Sequence, residues 1–257
     1  MATGNIGRFV WYELMTTDPN AAIAFYTEVV GWKTEPFDKN YRMWVSSQGP
    51  IGGVMTLEDE AKKMGARPQW TSHVGVGDVD ATVATVRKLG GRVHVEPNDI
   101  PKVGRFAVIA DPQGASICVF KGAEPMKLHD VSKAGEMCWS ELLTTDKEAA
   151  LRYYGELFGW KKLGEHDMGP MGTYSIFGVG TTWLGGMFTK PNDAPMPPVW
   201  LYYIETSDLT GALARAKAKG AQVLREPVEV PGGAHIAQLR DPQGVVFALH
   251  ELKSPAA

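Results

Sequence analysis

The chain is written twice, and this restricts its fold more than any other feature. Residues 7 to 18 (GRFVWYELMTTD) return at 135 to 146 as GEMCWSELLTTD, which sets Trp11 on Trp139, Glu13 on Glu141 and Asp18 on Asp146. The correspondence continues through Tyr26 and Tyr154, Trp32 and Trp160, Gly53 and Gly186, Trp70 and Trp200, and an Asp-Pro-Gln-Gly turn at 111–114 and 241–244. The shift drifts only between 128 and 133 residues, so two copies of one fold account for the whole chain. A polar stretch around Pro125 has no sustained pattern, which places the domains at 1–122 and 135–257 with a linker at 123–134.

Each copy divides again. Phe9 to Met15 alternates as a strand, and Asp18 is placed to accept from the free amides of a helix start, with Pro19 in its first turn. Ala22, Phe25, Tyr26 and Val29 recur at helical spacing up to Gly31, where a left-handed cap would end the helix. Strands follow near 32–37, 41–47 and 53–57; from Trp70 the same order returns, with a helix begun by Asp78 and strands near 92–96, 104–110 and 115–120. The fold class is therefore α+β, four βαβββ modules in two tandem pairs. One helix cannot cover both faces of a four-stranded sheet, so paired modules must enclose the open face and leave a cleft.

Lys+Arg 26 against Asp+Glu 29 leaves a net charge of −3 and no cationic field for a polyphosphate chain, so nucleic acid is excluded as an expected partner. No window is apolar enough to span a bilayer, and the first residues lack a leader pattern. Two cysteines cannot build a disulfide framework, which points to the cytoplasm. The expected partner is a small molecule, and the expected state a monomer or homodimer.

The paired βαβββ order, the Asp-initiated helix that leads through Tyr26 or Tyr154 to Gly-Trp, and the Asp-Pro-Gln-Gly turn resemble the vicinal oxygen chelate superfamily of glyoxalase I, bleomycin-resistance proteins and extradiol dioxygenases. The likeness covers essentially the whole chain. With Trp-x-Glu-Leu in the first strand, it is similar to bacterial tandem proteins labelled glyoxalases or hydroxylases. The resemblance implies a divalent ion held by His, Glu or Gln in the cleft. Its ligand positions fall on Trp11, Thr71 and Cys118 in the first copy and on Trp139, Leu201 and Ala248 in the second, with apolar residues near 54–55 and 187–188. Neither copy carries the usual set, so no cofactor is expected.

Side chains two apart on a strand share a face. Glu13, His73 and Phe120, and Glu141, Tyr203 and His250, therefore stand beside those positions. Glu13 with His73 and Glu141 with His250 are candidate catalytic acid/base pairs, a displaced metal being the alternative use of the same groups. Trp11, Trp44, Phe106 and Phe120 in one copy, and Trp139, Tyr174 and Tyr203 in the other, are expected to line a cleft for an aromatic ligand. Trp32 and Trp160 are assigned to the core, Cys118 to a buried inert thiol, and His94, His129, His166 and His235 to solvent. Two functions stay open: a protein that binds a small apolar or aromatic molecule in the manner of bleomycin resistance, and a lyase, isomerase or oxygenase that uses the Glu/His pairs.

Overall fold

The computed structural model describes residues 3–63, 65–191, 193–194 and 196–252; the ends of the expected domains at 1–2 and 253–257 lie outside them. The first module runs β1 (Phe9–Thr16), α1 (Pro19–Val30), β2 (Lys33–Pro36), β3 (Tyr41–Ser46), β4 (Gly49–Thr56) and a short α2 (Asp59–Lys63). The second is β5 (Gln69–Gly75), α3 (Val79–Lys88), β6 (Arg92–Ile100), β7 (Gly104–Ala110) and β8 (Ser116–Gly122). The third is β9 (Met137–Thr144), α4 (Lys147–Phe158), β10 (Lys161–Asp167), β11 (Thr173–Val179) and β12 (Thr182–Thr189). The fourth is β13 (Val199–Glu205), α5 (Leu209–Ala218), β14 (Gln222–Glu229), β15 (His235–Arg240) and β16 (Val246–Glu251). The strands form two eight-stranded mixed sheets, β2-β3-β4-β1-β5-β8-β7-β6 and β10-β11-β12-β9-β13-β16-β15-β14, one from each sequence copy. This is the α+β arrangement of βαβββ modules that the repeat requires. Among the described residues no helix is long and apolar enough to cross a membrane.

Local chemistry sets the ends of the elements. Asp18, Asp78, Asp146 and Asp208 each precede a long helix and accept from the amide three residues on, at 2.8 to 3.0 Å. Gly31 (φ +86°) and Gly159 (φ +73°) close α1 and α4 in the left-handed region. Strand β6 runs past its expected stop at residue 96 and through Pro97, and β14 likewise runs through Pro227. They do so with register shifts around each proline, whose missing N–H cannot join a ladder. The copies diverge most at 164–172: β10 has seven residues where β2 has four, and a 3-10 turn at Gly169–Met171 follows it.

Packing groups the modules across the repeat. One compact unit contains residues up to Trp11, Thr71–Leu128 and Trp139–Trp200; the other contains Tyr12–Trp70, His129–Cys138 and residues from Leu201 on. In the first unit α3 packs on α4, and Tyr154 donates its hydroxyl to Asp111 Oδ2 at 3.1 Å. Gln113 then takes both backbone groups of Asp146, donating to its carbonyl at 2.8 Å and accepting from its amide at 2.6 Å. Trp160 Nε1 donates to the Gly7 carbonyl at 2.6 Å. The second unit repeats every contact with the roles exchanged. There α1 packs on α5, Tyr26 donates to Asp241 at 3.1 Å, Gln243 brackets Asp18, and Trp32 donates to the Gly135 carbonyl at 2.7 Å. The Asp-Pro-Gln-Gly turn of each copy is thus a clasp on the helix start of the other copy. Aromatic cores back both clasps, Phe9, Tyr154, Trp160, Phe177 and Trp200 in one unit and Tyr26, Trp32, Trp44, Trp70 and Phe247 in the other. Burial raises the Asp111 and Asp241 carboxyls above the usual carboxylate range, against the opposing pull of hydrogen bonds from turn amides.

Candidate functional site

Strand β9 alternates. Ser140, Leu142 and Thr144 are buried, while Trp139, Glu141 and Leu143 form the half-buried opposite face. Trp139 Nε1 donates to the Tyr174 hydroxyl at 2.8 Å, and that hydroxyl donates to Glu141 Oε2 at 3.0 Å. The ring reaches this place because residue 186 is glycine: a Cβ there would stand 2.0 Å from the Tyr174 ring. In the other unit Tyr41 lies over Gly53 in the same way, its hydroxyl 1.9 Å from where a Cβ would be. The 133-residue shift maps Tyr174 onto Tyr41, so the repeat itself held the signal for this residue. Trp44, expected in the ligand pocket, maps onto Phe177. It packs with Tyr26, Trp32 and Trp70 without exposed surface, and so belongs to the core.

The remaining expected residues divide between the two units. In the first, Phe106 and Phe120 oppose each other across β7 and β8, and His73 meets the Phe120 ring edge-on at 6.0 Å. His73 and Cys118 are register partners, and both are buried. In the second unit the Tyr203 hydroxyl accepts from Gln238 at 3.2 Å. Trp11 and Glu13 are half-buried on β1. Glu13 and His73 belong to different units, as do Glu141 and His250. Within the units, Glu141 bonds Tyr174 and His250 bonds Glu205. His129, expected in solvent, instead lies 2.9 Å from the buried carboxylate of Glu136, which also accepts from Ser46.

A second constellation joins the expected His250 to two residues that the sequence does not mark, Cys138 and Glu205. Strands β13 and β16 run parallel with Glu205 opposite His250, and His250 Nδ1 lies 2.5 Å from Glu205 Oε2. Glu205 is buried, its other oxygen accepting from the Leu252 amide at 2.9 Å. Donor atoms of Cys138, Glu205 and His250 all lie within 4.8 Å of one another. Burial, reinforced by the Glu205 charge, pushes the Cys138 thiol well above its ordinary range. Cys138 and Glu205 escape a search through the repeat because they replace Val10 and Gly75, where the two copies disagree.

Residues 8–119 and 137–249 each match the family model of the Glyoxalase/Bleomycin resistance protein/Dioxygenase superfamily. The Mycobacterium bovis protein CFP32, which carries a glyoxylase name, is 32% identical over 249 residues, 93% of this chain and 92% of its own. The anthracycline biosynthesis protein DauV of Streptomyces sp. (strain C5) is 28% identical over 277 residues, 98% of this chain and 96% of its own. Among solved structures, the Mn(II)-bound glyoxalase from Novosphingobium aromaticivorans aligns with a TM-score of 0.67 at 17% identity, covering 96% of this chain and 82% of that one. Homoprotocatechuate 2,3-dioxygenase from Arthrobacter globiformis aligns with 0.69 at 16%, covering 96% and 80%. The expectation of a cofactor-free chain is overturned here. Three metal-capable donors, Cys138, Glu205 and His250, converge on β9, β13 and β16, and one chain of this fold is Mn(II)-bound. With both sheets, both family matches and a full-length relative in agreement, the chain belongs to the Glyoxalase/Bleomycin resistance protein/Dioxygenase superfamily.

Proposed function

We propose that the protein binds a small, flat, hydroxyl-bearing organic molecule, with residues 1–122 and 135–257 as its two family domains, and acts in the cytoplasm as a monomer or homodimer. The observation that carries this reading is the chain from Trp139 through Tyr174 to Glu141. It directs a donor at one carboxylate oxygen and so holds Glu141 as an acceptor, the complement of a phenol or alcohol. The name of the DauV relative places that protein in anthracycline biosynthesis, which makes hydroxylated polycyclic aromatics the class to try first. A second reading, an enzyme, is favoured by the Cys138, Glu205 and His250 donors. A divalent ion held there would polarise a substrate oxygen.

Tryptophan fluorescence titration with a dihydroxyanthraquinone and its O-methylated analogue tests the binding reading. Glu141→Gln is expected to weaken the hydroxylated ligand by at least about tenfold, in line with a charged hydrogen bond at roughly 1.5–3 kcal/mol, and to leave the methylated one unchanged. Equal binding of both compounds, or no effect of Glu141→Gln, would sink it.

A further inference from the structure

We infer that Cys138, Glu205 and His250 form a thiolate-containing metal site built into the second sequence copy and absent from the first. The site deepens the enzyme reading but stands on its own geometry. It lies outside the positions where the family's ligands fall, which are Trp139, Leu201 and Ala248 in this copy.

Three arguments converge. The donors differ in kind, one sulfur, one carboxylate and one imidazole, and they lie within 4.8 Å of one another. A tetrahedral ion with bonds of about 2.0–2.3 Å spaces its ligand atoms about 3.5 Å apart, a change within reach of side-chain rotation. The set is also soft: sulfur with imidazole selects zinc or cobalt over magnesium, calcium or manganese. With three protein ligands, a fourth position stays open for water or substrate. Metal entry breaks the Cys138 S–H bond, releases that proton to solvent and forms the metal–sulfur bond without change of oxidation state. Finally, the backbone supports the set. Glu205 and His250 are register partners on parallel strands, and the Leu252 amide fixes the second Glu205 oxygen.

The first copy cannot reproduce this. Its corresponding residues are Val10, Gly75 and Phe120, and Gly75 pairs with Phe120 in the register that joins Glu205 to His250. A Cβ on Gly75 would stand 2.3 Å from the Asn5 carbonyl oxygen, so no side chain fits there without backbone movement. Among the described residues the consequence is one such metal site, although the fold is duplicated.

The full-length chain, stripped with chelator and titrated with Co(II), is expected to bind one equivalent with a near-ultraviolet thiolate-to-cobalt band. Zinc should displace the cobalt, and magnesium should not. Cys138→Ser should abolish the band and Cys118→Ser should keep it, while His250→Gln and Glu205→Gln each weaken cobalt at least tenfold. Should Cys138→Ser fail to fold, iodoacetamide mapping of the unaltered chain answers the same question, because bound zinc should protect Cys138 from alkylation. A folded chain that takes up no cobalt, two equivalents, a band that survives Cys138→Ser, or no zinc protection would overturn the inference. Ligand titration separates the two readings: a chain that binds the anthraquinone but no cobalt refutes the metal site alone, and one that binds cobalt but no anthraquinone refutes the ligand reading alone.

Discussion

Glu141 accepts a hydrogen bond from the Tyr174 hydroxyl, and Tyr174 can give it because position 186 has no side chain. Gly186→Ala would place a methyl group 2.0 Å from the Tyr174 ring. The ring must move, so the variant is expected to lose roughly 1–3 kcal/mol of stability together with the hydroxylated-ligand preference, read by thermal melts and the same fluorescence titration. Gly53→Ala should cost similar stability through Tyr41 and leave the Glu141 ligand response intact. A Gly186→Ala protein with normal ligand response would show that the ring's seat is not needed. At this scale Trp139 and Glu141 were legible because the repeat retains them, and Tyr174 because it is an aromatic residue on a strand of the duplicated sheet. The counterpart of Tyr174 is Tyr41 and not the larger ring of Trp44, because position in the repeat and not ring size marks it. Cys138 and Glu205 were invisible to any search for what the copies share, since their meaning lies in what the copies do not share.

Among the elements, helix starts, left-handed caps and the Asp-Pro-Gln-Gly turns were readable because each depends on a few neighbouring residues. What those turns grip was not, since no local pattern announces a partner in the other copy. The clasp carries a measurable electrostatic signature. Burial raises Asp111 and Asp241 above the ordinary carboxylate pKa, so the native state retains protons that the unfolded chain has released. The stability they contribute is fully present below the unfolded pKa, about 3.9, and is lost as pH rises through the raised native value. Asp111→Asn and Asp241→Asn remove that loss. Urea midpoints taken across the acid range should therefore show the variants improving relative to the parent as pH climbs through this window. A parent that gains on its variants over the same window would contradict the assigned direction.

At the scale of the molecule, the two clasps are chemically alike but differ in the length of chain that each must close. Tyr154 and Asp111 are 43 residues apart, whereas Tyr26 and Asp241 are 215 apart. Closing the longer loop costs about 1.4 kcal/mol more in chain entropy by the logarithmic scaling. Folding order should follow: the clasp at Asp111 forms early, and the clasp at Asp241 completes the structure. Tyr154→Phe is expected to slow refolding, and Tyr26→Phe mainly to speed unfolding, in stopped-flow chevrons; the reverse pattern would exclude this order. On the ribosome the asymmetry becomes one of time. Helix α1 emerges well before Asp241 and Gln243, which hold Tyr26 and Asp18, have been made. The first module must therefore wait, with its aromatic face unmatched, while the 215 residues that separate Tyr26 from Asp241 are added, and through that interval it needs protection from other molecules.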